Sequence, residues 1–250
     1  MKRVHAQVVQ NADHAAINNH LIQAHPLYAH AAARFTGKLI VLLLFAWQPV
    51  SASDSDVGLW ASGDYHLDLN DDWLASIIIQ ARFDNDLERL ERLLFRPSVT
   101  FKASHGIALT AGYDAHSVEA PRDVIEHRSW QQIAIKKPLG RLATFAHARL
   151  EKRYFENVDD ISLRLRLNAG INLPLRGGFA ATLANEVFFT LNDVDGAPAK
   201  GFDQNRLFAG FSKRLTERLN VRLGYQMQYI DRAARDDLAG NQVFIFFTYK

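Results

Sequence analysis

Cysteine is absent from the 250 residues, and methionine occurs only twice. Without a thiol there is no disulfide framework, no cysteine-ligated metal cluster, no thiol nucleophile and no lipidated cysteine anchor. A cysteine-free chain is compatible with passage through an oxidising periplasm. A membrane helix, which needs about 20 consecutive apolar residues, is also missing: the most apolar stretch, Leu39 to Val50 (LIVLLLFAWQPV), is too short. No glycine-rich phosphate loop is present either, because Gly177-Gly178 reads as a turn without the strand-to-helix pattern such a loop requires. A strong charge of one sign is lacking, with 29 Lys and Arg against 27 Asp and Glu.

The apolar stretch has a different meaning. Arg34 and Lys38 precede it, and Val50-Ser51-Ala52 places small residues where a signal peptidase reads them. A basic flank, a short apolar core and a small-residue exit describe a secretory signal. The expected division is therefore a leader and signal peptide over 1–52, with its hydrophobic core at 39–50 and cleavage after Ala52, followed by the mature chain over 53–250. His14, His20, His25 and His30 fall upstream of the cut with no accompanying carboxylate pattern, so a misassigned start or a long leader is expected rather than a metal site. Four basic residues and one acid lie before residue 53, which leaves the remainder at a net charge of −1. That removes the electrostatic case for a nucleic-acid partner.

From Ser53 onward, period-two alternation dominates. In Ile161 to Leu173 (ISLRLRLNAGINL), Ile161, Leu163, Leu165 and Leu167 share one face while Ser162, Arg164 and Arg166 share the other. A helix would scatter these arginines around its axis, whereas a strand separates them. Similar segments recur at 57–69, 73–83, 93–102, 107–113, 125–136, 142–154, 179–191, 206–215, 221–229 and 242–249, which predicts about eleven strands of roughly ten residues, the length needed to cross a membrane at a tilt. Tight turns alternate with longer polar loops, as at the two rims of an outer-membrane barrel. The expected fold is all-β: one antiparallel transmembrane barrel of about 10–12 strands. An odd count conflicts with the even number usual in bacterial single-chain barrels, so either a strand is missing from the count or the first one pairs unusually. The alternative is a soluble periplasmic β-barrel binding protein, which would turn its apolar faces inward. Export, strand length and the aromatics near strand ends (Trp73, Phe83, Tyr113, Tyr154, Tyr225, Tyr229, Tyr249) favour the membrane.

Several segments carry a resemblance. They are Val57-Gly58-Leu59-Trp60, Glu126-His127-Arg128-Ser129-Trp130-Gln131-Gln132, Arg149-Leu150-Glu151-Lys152-Arg153-Tyr154-Phe155, Asn185-Glu186-Val187-Phe188-Phe189, and Phe202-Asp203-Gln204-Asn205-Arg206-Leu207 with the later Gly224-Tyr225. In this order the chain resembles the domain of unknown function 2490 family, grouped with bacterial outer-membrane β-barrels. The resemblance implies a barrel and an envelope location and no activity.

With apolar faces toward lipid, the lumen would hold Arg82, Arg96, Arg128, Arg149, Glu151, Arg153, Arg164, Arg166, Glu186, Arg206 and Arg222, with Gln80, Gln132, Gln226 and Gln228. Such a wall is either a plug of ion pairs or a narrow basic passage selecting small anionic solutes. Small barrels fill with side chains, which favours the plug. An enzyme is the other class: a lipid-active hydrolase using Ser129 and His127, two apart and so on one face, which is the predicted lipid side. No Ser-Asn-Gly continuation or calcium-binding acid cluster accompanies the pair, so a non-enzyme is expected, with no cofactor. Asp193, Asp195 and Asp203 would share one loop and read as solvated acids before calcium ligands. Asp86 to Leu94 (DLERLERLL) has the pattern of a short amphipathic loop helix. Expected partners are outer-membrane lipids, lipopolysaccharide and the outer-membrane insertion machinery, at a bacterial outer-membrane location.

Overall fold

The computed structural model describes residues 55–84, 86–118, 124–156, 158–231 and 237–250. The leader, the cleavage site and the four leader histidines lie outside the described residues. Eleven strands form: β1 (Ser55–Asp68), β2 (Trp73–Asp84), β3 (Arg89–Lys102), β4 (Ile107–Val118), β5 (Val124–Leu139), β6 (Leu142–Phe155), β7 (Ser162–Pro174), β8 (Phe179–Thr190), β9 (Gly201–Arg214), β10 (Leu219–Ile230) and β11 (Leu238–Tyr249). Each pairs with its sequence neighbours, and the sheet closes on itself.

Closure resolves the odd strand count. Ten neighbouring pairs are antiparallel, which leaves the first and last of eleven strands pointing the same way. β1 and β11 accordingly pair in parallel, from Ser55 opposite Ala239 to Tyr65 opposite Tyr249. No strand is missing from the count; the first one pairs unusually.

Tight turns gather at one rim. Between β1 and β2 the Asn70 side-chain oxygen accepts hydrogen bonds from the Asp72 and Trp73 amides at 3.0 and 2.9 Å, an Asx turn that substitutes a side chain for a backbone acceptor. Between β9 and β10 the Thr216 hydroxyl accepts from the Arg218 and Leu219 amides at 3.2 and 2.9 Å. Gly177 and Gly178 link β7 to β8 with φ of 69° and 76°, a conformation glycine adopts without steric cost. Longer connections, such as residues 191–200 between β8 and β9, lie at the opposite rim.

The strands are 12 to 16 residues long, longer than the alternation alone suggested, and the added length is mostly at the long-loop rim. There β3 begins at Arg89, so the helix expected over Asp86–Leu94 does not form. Asp86 and Leu87 have φ of 54° and 74°, outside the right-handed helical region. Most of the segment pairs instead with β2. Two bulges interrupt the ladders, at Arg82/Phe83 and at Phe188/Phe189. Each leaves one extra residue on the facing strand, Glu91 on β3 and Asp203 on β9.

The faces sort by polarity. Arg164 and Arg166 are buried inside the barrel, while Leu163, Leu165 and Leu167 point out. Ile79, Phe95, Ile133, Leu183, Phe211, Leu223 and Val243 are exposed on the outer wall. A water-soluble barrel would reverse this, so the periplasmic binding-protein alternative does not match the observed faces. Inside, the Trp130 ring lies flat over Gly112, and a Cβ at that glycine would collide with the indole. Gly112→Ala is expected to cost about 1–3 kcal/mol through overpacking, read as a lower urea midpoint.

Candidate functional site

Interior side chains come from alternate positions, so arginines on neighbouring strands meet in layers. Glu151 on β6 is fully buried. It accepts from Arg164 Nε and Nη2 at 2.9 and 2.6 Å and from Arg166 Nη1 at 2.8 Å. Arg166 also reaches Glu186 Oε1 through Nε and Nη2 at 3.0 and 2.7 Å, and Arg164 Nη1 reaches Asp203 Oδ2 at 3.2 Å. Glu126 on β5 takes Arg128 in a fork at 2.8 and 2.6 Å and Arg153 Nε at 2.6 Å. Asp114 on β4 takes Arg96 in a fork at 2.7 and 2.6 Å and accepts from Trp130 Nε1 at 2.6 Å. Paired forks of this kind let buried guanidinium stay charged, because each lost water contact is replaced by a carboxylate oxygen.

A second set of arginines rests mainly on neutral groups, with carboxylates no closer than 3.9 Å among the described contacts. Arg149 Nε donates to Gln132 at 3.0 Å, and its guanidinium lies 3.9 Å from the Trp130 ring centroid. Arg82 Nε donates to Gln80 at 2.7 Å, and its guanidinium lies 3.8 Å from the Trp60 ring centroid. Arg206 lies 5.0 Å from the same Trp60 ring and 4.6 Å from Phe188, with Glu186 at 3.9 Å. Cation–π contact stabilises a desolvated guanidinium without neutralising it. Arg222, on β10, is half-buried and belongs to neither set; its Nε has no hydrogen-bond partner.

The first set, with Arg82 and Arg206 of the second, borders one cavity of about 410 Å³ toward the long-loop side of the interior. Eight arginines and four carboxylates line it, and three more carboxylates, Asp114, Glu126 and Glu151, pair with arginines of that wall from behind, which leaves a small excess of positive charge. Of the arginines named from the sequence, Arg82, Arg96, Arg128, Arg153, Arg164, Arg166 and Arg206 line this cavity, with Glu186 and with Gln80, Gln226 and Gln228. Arg149, Glu151 and Gln132 are inside the barrel but off its wall, and Arg222 is apart. Six charged members escaped the sequence reading, among them Asp84 on the cavity wall. Glu126 shares the phase of Arg128 and was open to the same reasoning. Asp114 and Arg92 sit where alternation faded into presumed loop. Glu91 and Asp203 enter through the bulges, which break the phase any periodic reading depends on.

On the outer wall, His127 is partnered by Tyr113. His127 Nδ1 shares a 2.5 Å hydrogen bond with Tyr113 Oη, the two rings stacked at 5.8 Å. Among the described contacts there is no Ser129–His127 hydrogen bond of the kind an activated serine makes. Nor do the three loop acids converge: Asp203 is inside the barrel, and Asp193 Oδ1 accepts from the Lys200 amide at 2.9 Å.

Comparison with known proteins matches residues 57–239 to a family described as "Protein of unknown function (DUF2490)". An uncharacterized protein of Methylorubrum extorquens is 30% identical over 168 residues, which is 65% of this chain and 72% of that protein. Among solved structures, the NanC porin in a rhombohedral crystal form superposes with a TM-score of 0.52 at 14% identity, covering 78% of this chain and 98% of the porin. A likeness this low in identity speaks to the barrel fold alone. The segments carrying the family resemblance all send alternate residues into one interior: Trp60, Arg128, Glu151, Phe188 and Arg206 are each from a different segment.

Proposed function

Since the chain belongs to the DUF2490 family, whose description carries no activity, we propose a role from the geometry: an outer-membrane β-barrel providing a narrow, anion-selective passage for small solutes. The observation that carries the proposal is the excess of arginine over carboxylate around the interior cavity. Low-dielectric walls focus the field of such charges, which raises local anion concentration and repels cations. The ion-paired arginines hold the wall rigid, and Arg82 and Arg206, resting on Trp60, supply the unneutralised charge. The outward apolar band supports the membrane location. So do the aromatic clusters near both rims, Tyr65 with Tyr249 and Trp73 with Phe101 at one, Phe202 with Tyr229 at the other. The signal-like segment before residue 53 supports export, and the role requires no bond chemistry.

In planar bilayers under a potassium chloride gradient, the purified barrel is expected to give small unitary steps with a reversal potential on the chloride side. Arg82→Gln is expected to lower the chloride-to-potassium permeability ratio roughly threefold to tenfold, since a charge acting across a low-dielectric constriction is weakly screened. A silent bilayer would leave a purely structural barrel. Heat-modifiable gel migration of protein extracted from outer membranes checks location and closure together.

A further inference from the structure

Among the eight arginines on the cavity wall, Arg82, Arg92 and Arg206 are the three with no carboxylate hydrogen bond among the described contacts. Arg82 and Arg92 stand directly opposite each other across the β2–β3 ladder. Facing positions put Cβ atoms about 4.5–5.5 Å apart, where like charges repel. Arg206 comes from the far side of the closure seam onto the same Trp60 ring that Arg82 covers. All three line the cavity. Arg92 Nε and Arg206 Nε are buried without a hydrogen-bond partner. The nearest carboxylates are loosely placed: Glu91 is 3.5 Å from Arg92 Nη2, and Glu186 is 3.9 Å from Arg206 while bound closely to Arg166. Asp84, also on the wall, is held in a fork by Arg89 at 2.9 and 2.7 Å.

Three guanidiniums on one cavity wall, two of them with a buried donor left over, are costly to bury unless an anion joins them. We propose that Arg82, Arg92 and Arg206 form a binding site for one small phosphate group, either inorganic phosphate or the phosphate of a small phosphorylated solute. A carboxylate offers two oxygens and one charge. A phosphate offers more oxygens in tetrahedral directions and close to two charges, which suits donors arriving from β2, β3 and β9. The Trp60 ring contacts two of the three. The site deepens the anion-passage reading and rests on it for the route by which the ligand enters.

Calorimetric titration of inorganic phosphate into the detergent-solubilised, heat-modifiable barrel, at constant ionic strength in chloride, is expected to show saturable binding. Arg82→Gln and Arg206→Gln are each expected to weaken it at least tenfold, whereas Arg176→Gln, at an exposed turn, leaves it unchanged. If Arg82→Gln fails to fold, Arg206→Lys retains the charge without the fork and is expected to bind with intermediate strength. Tighter binding of glycerol 3-phosphate than of phosphate assigns the site to a phosphorylated solute; equal binding assigns it to the free ion. Absence of saturable heat, or binding untouched in both glutamine variants, overturns the site. Phosphate binding with a silent bilayer keeps the site and removes the passage, and conductance without phosphate binding does the opposite.

Discussion

Glu151→Gln is expected to destabilise the barrel by about 3–5 kcal/mol, the range for removing one partner from a buried ion pair. The side chain is fully buried and accepts three hydrogen bonds from Arg164 and Arg166. Glutamine keeps the size and one carbonyl oxygen but turns the other acceptor into an amide N–H donor aimed at a guanidinium. Arg166 retains Glu186, so the loss falls hardest on Arg164, left with Asp203 at 3.2 Å. Urea unfolding in phospholipid vesicles reads the change. In a double-mutant cycle, Arg164→Met is expected to recover part of the loss, because removing both charges removes the mismatch. A loss under about 1 kcal/mol would mean that water reaches Glu151 and that the interior behaves as a hydrated surface.

The second large effect lies on the outer wall. Ile79, near the middle of β2, is 61% exposed and opposite Phe95. Ile79→Arg is expected to cost about 2–4 kcal/mol in a bilayer, the penalty for arginine near the midplane of a barrel's lipid face. On a wall facing water the same change would fall within about 0.5 kcal/mol of neutral. Insertion into vesicles, followed by the same unfolding measurement, separates the two. A neutral result would remove the membrane location, and with it the passage.

Much of this architecture is legible in the residues themselves. Ile161 to Leu173 sets its leucines and arginines two apart, and no element but a strand keeps them on separate faces. Which face pointed inward could not be read from the spacing, since a soluble barrel has the same period; export and strand-end aromatics decided it. The charged interior was legible wherever the period ran unbroken, as at Arg149, Glu151 and Arg153. It failed at strand ends, where Asp84, Arg89 to Arg92 and Asp114 to Val118 have the composition of loops but continue the ladders. Polar residues there read as solvent-exposed because nothing in a single strand shows that ten others surround it. The bulges were beyond any periodic argument. Their acids, Glu91 and Asp203, occupy positions that only the facing strand's register defines.

The parallel contact between β1 and β11 bears on how the barrel is made. Ten hairpin-like neighbours lie close in sequence and can zip in turn, each on the edge left by the last. The remaining contact joins residues nearly two hundred positions apart, so its loop-closure entropy is the largest and its turn comes last. Its slanted bonds are also slightly weaker per residue than those of the antiparallel pairs. The cylinder therefore has one latch, expected to be the last to engage as the barrel folds and the first to part under strain.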